Sequence, residues 1–218
     1  MKTILALLLI FYTLSVHAQR RVGFSIGGNY SDIRFKNSAG DVNENLKGLP
    51  GASITAYYQF EILKRKTEKR FNPSNFLSPE IGYKSSQFSD KGSNVLTTWS
   101  LNYLSTGLAI KHYRNSKKTV NPFYGGGFIT DFLISGVQSR GFEQYDLTEN
   151  IKKINVSITA EAGLLYTISD NAHCSLSLAY LRGIYNLEKD PGQTAMIHAW
   201  KLSATVFFNL KTRTKGKE

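Results

Sequence analysis

Ile154-Asn155-Val156-Ser157-Ile158-Thr159-Ala160-Glu161-Ala162-Gly163-Leu164-Leu165-Tyr166-Thr167-Ile168 alternates apolar and polar residues along its length, with Leu165 the one exception. A strand points successive side chains to opposite faces, so this segment has one greasy face and one hydrophilic face. Ala52 to Ile62 behaves in the same way: Ala52, Ile54, Ala56, Tyr58, Phe60 and Ile62 lie on one face, and Ser53, Thr55, Tyr57, Gln59 and Glu61 on the other.

Working outward, six more segments carry the pattern with more noise. In the first, Val22, Phe24, Ile26 and Tyr30 alternate with Gly23, Ser25, Gly27 and Asn29. In the third, Leu77, Ile81 and Tyr83 alternate with Ser78, Glu80 and Lys84. The fourth runs from about Thr98 to Tyr113, and its apolar parity changes near Tyr103-Leu104, which implies a β-bulge there. The fifth covers Pro122 to Ile134, the seventh Cys174 to Tyr185 and the eighth Trp200 to Leu210.

Each segment is long for a globular strand and suits one tilted across roughly 25 Å of hydrocarbon. Turn-forming clusters separate them: Lys36 to Lys47, Lys64 to Asn75, Ser89 to Asn94, Arg114 to Thr119, Gly136 to Asn150, Ser169 to Asn171 and Leu187 to Gln193. The expected fold is all-β: an eight-stranded antiparallel up-and-down transmembrane barrel, which closes without an exposed edge.

The start of the chain implies export. Lys2 precedes an apolar run from Ile4 to Leu14 and then Val16-His17-Ala18, so residues 1–18 read as a signal peptide and residues 19–218 as one barrel domain. The run is shorter than the roughly 20 residues of a spanning helix. The single cysteine, Cys174, has no intramolecular disulfide partner. The formal net charge of +11, one less without Lys2, would suggest nucleic acid in a cytosolic protein; export argues against that partner.

The residues also resemble a known family. Glu80-Ile81-Gly82-Tyr83, Leu101-Asn102-Tyr103-Leu104 with Ile110-Lys111, Pro122-Phe123-Tyr124-Gly125-Gly126-Gly127, Ala160-Glu161-Ala162-Gly163, and Leu178-Ala179-Tyr180 with Gly183-Ile184-Tyr185-Asn186 look like the PorT-type outer-membrane β-barrels of Bacteroidetes. Where that family usually has a proline in the fourth strand, this chain has Gly107. The resemblance implies an outer-membrane location and, for some relatives, a part in protein secretion. It supplies no active site.

Eight strands leave an interior that side chains fill, so no open pore is expected. The parities send Glu61, Glu80, Lys84, Lys111, Asp131, Glu161 and Lys201 into the lumen, where charges must pair because an unpaired buried charge is costly. The expected product is a structural salt-bridge network, a proton path or binding cavity being the sharper alternative. Gly125 and Gly127 are expected to make room for long opposing side chains.

With the N-terminus in the periplasm, Lys64, Arg65, Lys66, Lys69, Arg70, Arg114, Lys117 and Lys118, together with Arg20-Arg21 and the C-terminal tail, form a basic periplasmic rim suited to lipid phosphates or an acidic partner. Ordinary solvated turns explain the same residues. The outer loops, Lys36 to Lys47 and Gly136 to Asn150, are candidate contact surfaces. Tyr30, Tyr58, Phe60, Tyr83, Trp99, Tyr113, Phe132, Tyr166, Tyr185, Trp200 and Phe208 read as interfacial girdles.

His112, His173 and His198 join no serine and carboxylate in a local motif, and they lack the spacing of metal ligands. No catalytic residue, metal or cofactor is therefore expected. The expected partners are outer-membrane lipid and a periplasmic or secretion-system protein, with a monomeric barrel and a structural, binding or assembly role. Two rivals remain open at this point: a soluble lipocalin-like barrel binding a small apolar ligand, which would reverse the polarity of the faces, and a small-barrel lipid hydrolase.

Overall fold

The computed structural model describes residues 20–64, 74–90, 92, 96–114, 119–190 and 192–210. Nine strands follow in chain order: β1 (Arg20–Lys36), β2 (Leu46–Lys64), β3 (Ser74–Asp90), β4 (Thr97–Tyr113), β5 (Val120–Arg140), β6 (Glu143–Asp146), β7 (Ile154–Ser169), β8 (Ala172–Gly183) and β9 (Thr194–Leu210). Eight of them close into an antiparallel ring: each pairs with its chain neighbour, β5 skips to β7, and β9 returns to β1. β6 lies outside the ring as a short hairpin arm on β5.

The in-out polarity is that of a membrane barrel. Ile26 is 68% exposed while its neighbour Ser25 is 2% exposed, and the same contrast separates Phe128 from Asp131 and Ile158 from Ser157. Apolar side chains therefore face outward and hydroxyl, amide and charged groups face inward, the reverse of a lipocalin. Among the described residues no helix is long and apolar enough to cross a membrane; the strands make the crossing.

The strands extend past the expected boundaries. β1 reaches Lys36, β2 begins at Leu46, β5 runs on to Arg140 and β9 begins at Thr194, so segments read as loops from the sequence are partly paired strand. Beyond the hydrocarbon neither face needs to be uniformly apolar, and the period-two signal fades while backbone pairing continues.

The parity change assigned to the fourth segment is corrected. Residues 97 to 113 keep odd positions inward throughout β4, and its pairing with β3 is unbroken. The bulge is real at that level but belongs to β5, where Asn102 pairs with Ser135 and Tyr103 with Leu133, leaving Ile134 as the extra residue. What changes along β4 is the content of the interior, since Leu101 and Tyr103 point into an apolar cluster.

Continuous inward parity also corrects the girdle. Trp99 packs against the interior cluster at one end and Tyr113 is buried in the cluster at the other, while Phe60 is buried beside Tyr58. Tyr30, Tyr83, Phe132, Tyr166, Tyr185, Trp200 and Phe208 do face outward. Tyr30 pairs with Trp200 and Trp200 with Tyr180, making a belt across β1, β9 and β8 whose last two rings lie 4.9 Å apart.

Candidate functional site

The interior is stacked in three levels. The end carrying both barrel termini holds Tyr57, Phe76, Tyr113, Phe123, Leu165 and Phe207, with the ring centroids of Phe76 and Tyr113 5.3 Å apart. Arg21 enters this cluster. Its guanidinium lies 4.5 Å from the Phe76 centroid, its Nε donates to Asn209 Oδ1 at 3.1 Å, and it interacts electrostatically with Glu61. Arg21, expected on the basic rim, is thus a lumen residue; its odd parity beside outward-facing Val22 was the available signal.

The polar middle holds two direct ion pairs, with Glu80 and Lys201 interacting electrostatically with members of both. Lys84 on β3 meets Asp131 on β5 at 2.5 Å, and Asp131 also accepts from Ser105 Oγ at 2.6 Å and from Asn155 Nδ2 at 3.0 Å. Nearer the terminal end, Lys111 on β4 meets Glu161 on β7 at 2.6 Å, with the ammonium 4.9 Å from the Tyr57 ring centroid. Lys201 donates to Thr55 Oγ1 at 3.2 Å and shares electrostatic interactions with Glu80 and Glu161. Of the seven expected lumen charges, four form direct ion pairs, Glu80 and Lys201 act on members of both pairs, and Glu61 belongs with Arg21. Pairing follows which strands the ring brings together, which no single segment encodes.

Two glycines give these charges their room. Gly125 on β5 stands in register between Lys111 and Glu161; a Cβ there would lie 2.6 Å from the Ile110 carbonyl oxygen and 3.2 Å from Lys111 Cγ. At Gly107 a Cβ would come within 2.9 Å of Glu80 Cγ, so the missing side chain seats that carboxylate. Gly127 differs from the expectation: its close neighbours are the Leu108 carbonyl and Ala109, not a long side chain.

The opposite, loop-bearing end is closed by Phe88, Leu101, Tyr103, Leu133, Leu187, Ala195 and Ile197. Above this floor opens a cavity of ≈ 320 Å³. Trp99, Ile151 and Leu187 wall it, Ile33, Phe35 and Leu147 complete its apolar surface, and Asp90 and Glu188 bring carboxylates to its lining. The loops that shape it are tied to the strands. Leu147 N–H donates to the Gly136 carbonyl at 2.8 Å, Lys152 N–H to that of Leu187 at 2.8 Å, and Leu187 N–H to that of Ala195 at 2.9 Å. Asn186 adds a side-chain clamp, accepting from Ala195 N–H at 2.8 Å and donating to the Gln193 carbonyl at 2.9 Å. Burial and the nearby Asp190 raise the Glu188 carboxyl above its ordinary value, against the influence of Lys152.

Sequence reasoning missed this cavity, because its walls come from residues scattered along the chain from Ile33 to Ala195. Of the basic rim expected from the sequence, Arg20, Arg21, Arg114 and the backbone of Lys64 fall within the described residues, and Arg65, Lys66, Lys69, Arg70, Lys117, Lys118 and the C-terminal tail lie outside them. Residues 1–18, read as a signal peptide, also lie outside. The three histidines are far apart in role: His112 pairs with Asn75, His173 with Thr167, and His198 interacts with Arg182 and Asp32. Among the described residues no group of three or more His, Cys, Asp or Glu is placed to hold a metal ion.

A family model described as an outer membrane protein beta-barrel domain matches residues 17–188. No curated protein sequence matches the chain. Among solved structures, the outer membrane protein OprG from Pseudomonas aeruginosa is similar at 10% identity and a TM-score of 0.50, covering 88% of this chain and 96% of that one. Neisserial surface protein A is similar at 13% identity and a TM-score of 0.46, covering 86% and 97%. The N-terminal β-barrel domain of Pseudomonas aeruginosa OprF is similar at 11% identity and a TM-score of 0.45, covering 89% and 100%.

Proposed function

Since the chain belongs to the outer membrane protein beta-barrel domain family and is an outer-membrane protein, we propose that it is a non-conducting binding component of that membrane, working from its loop-bearing end. The observation that carries the reading is the filled lumen. Asp131 and Asn155 are wholly buried at one level, the Lys111–Glu161 pair blocks the next, and apolar clusters lie at both ends. An eight-stranded ring has room for little else. We read the role as binding rather than catalytic: His112 is engaged by Asn75 and His173 by Thr167, pairings that suit structural histidines.

The test is single-channel recording on the purified full chain in planar bilayers. The expected result is no steady conductance; a reproducible, sized channel would overturn the reading. A part in protein secretion is a second proposal, supported by the PorT-type resemblance of Glu80-Ile81-Gly82-Tyr83 and the other quoted segments. Under it the termini face the periplasm, where the basic segment from Lys64 to Arg70 meets lipid phosphates or an acidic partner protein. Cross-linking in cells, with and without replacement of Lys64, Arg65, Lys66, Lys69 and Arg70 by Gln, checks it: an unchanged set of partners would remove it.

A further inference from the structure

We infer that the loop-end cavity is a binding site for a small, predominantly apolar molecule whose polar end is neutral or cationic. The inference deepens the binding role proposed above and rests on it.

Three observations point the same way. The first is shape and lining. At ≈ 320 Å³ the cavity falls at the lower end of the range of small-molecule sites, and its floor and walls are side chains such as Phe88, Leu101, Trp99 and Ile151. An exposed end of a membrane barrel has no need of an apolar hollow for stability. Filling it with loop side chains would bury more surface at about 25 cal/mol per Å².

The second is preorganisation. The segments that carry Leu147, Ile151 and Leu187 over the barrel mouth are held by backbone bonds to Gly136, Leu187 and Ala195, and Ile151 forms an antiparallel bridge with Glu188. A ligand would enter a hollow that already exists and would order few side chains, which lowers the entropic cost of binding.

The third is charge. Among the described residues of the lining, the ionisable side chains are the two carboxylates Asp90 and Glu188. An anionic head such as a fatty carboxylate would face two carboxylates, with Lys152 acting on Glu188 from outside the lining. An amine would find a partner, and a neutral molecule would meet no repulsion. Leaving through the filled lumen would require breaking the buried ion pairs, so the ligand enters and leaves at the loop end.

Trp99 lies in the cavity wall, and the only other tryptophan, Trp200, faces outward from β9. The experiment uses the full chain with Trp200→Phe in phosphatidylcholine nanodiscs, titrated with N-phenyl-1-naphthylamine while energy transfer from Trp99 is read. A saturable transfer signal is expected above the linear background of probe in lipid. Ala195→Phe, which fills the floor, and Leu147→Asp, which puts charge in a loop wall, should each weaken it at least tenfold. Both variants are checked for the native mobility shift on boiling, and the loop substitution keeps the test alive if the floor substitution misfolds.

Hexylamine should displace the probe at least tenfold better than hexanoate. Only a linear signal, or a saturable one unchanged in folded Leu147→Asp, would overturn the site. Equal displacement by the two hexyl compounds would overturn its charge preference. A non-conducting barrel that fails here would leave the first reading intact, whereas a conducting barrel that binds the probe would reverse that outcome.

Discussion

Lys111 and Glu161 sit on strands that do not pair with each other, yet Nζ and Oε2 meet at 2.6 Å because Gly125, in register with both, leaves the intervening strand bare. The pair depends on the glycine as much as on the charges. Gly125→Val would place a branched side chain where a Cβ alone already comes within 2.6 Å of the Ile110 carbonyl oxygen. The variant is expected to lose the folded, fast-migrating species on unboiled gels at a lower temperature than the parent chain.

Removing one member of the pair strands the other. Glu161→Leu is expected to destabilise the folded barrel by roughly 3–5 kcal/mol, because a buried charge is left without its partner, while Lys111→Met with Glu161→Leu should recover most of that loss. Urea titration of refolding into lipid vesicles checks this. A double variant less stable than the single would contradict it.

Asp131 gathers Lys84, Ser105 and Asn155. Asp131→Ala should therefore cost far more than Ser105→Ala, which removes one hydrogen bond to a charged group, worth about 1.5–3 kcal/mol. The same titration, run on both variants, decides it; equal losses would mean that Asp131 is not the hub of this cluster.

Arg21 stacks its guanidinium on Phe76 and reaches Asn209 through Nε. Lysine keeps the charge but loses the planar fork, so Arg21→Lys is expected to lower stability by about 1–2 kcal/mol. If Arg21 were a solvated rim residue, the substitution would have no measurable effect.

Phe128 is 60% exposed on the outer face of β5. Phe128→Arg is expected to cost up to roughly 2–4 kcal/mol of insertion free energy, while Phe128→Leu should be nearly silent. Partition between vesicle-inserted and unfolded chain measures it, and a tolerated arginine would argue against lipid at that position.

Outside the membrane, Asp146 Oδ1 accepts the Thr148 N–H at 2.8 Å in the turn that follows β6. Bonds from the Thr148 side chain and backbone hold its carboxyl below the ordinary value of 3.8. A depressed acid stabilises the turn above 3.8 and ceases to do so as the pH falls through its lower folded value. The Thr148 amide resonance should titrate with a midpoint below 3.8, and Asp146→Ala should abolish that titration.

Much of the barrel was legible in residues such as Ile154 to Ile168, where each side chain declares its face from its own position and the next. That local rule also placed Lys84, Lys111, Asp131 and Glu161 inside, and it would have placed Arg21 there had parity been given precedence over charge. It misled where the interior turns apolar: Leu101 and Tyr103 on an inward face look, from sequence, like a strand that has slipped by one.

The sequence by itself therefore determined the crossing strands and the side of the wall each of their residues occupies, because period-two alternation is set by adjacent residues alone. Only the tertiary structure decided that Lys111 would choose Glu161, that the bulge would fall at Ile134 and that a hollow would open beneath Leu147 and Ile151. Those outcomes depend on ring closure and on the stagger between strands far apart in the chain. Alternation within one strand carries no information about either.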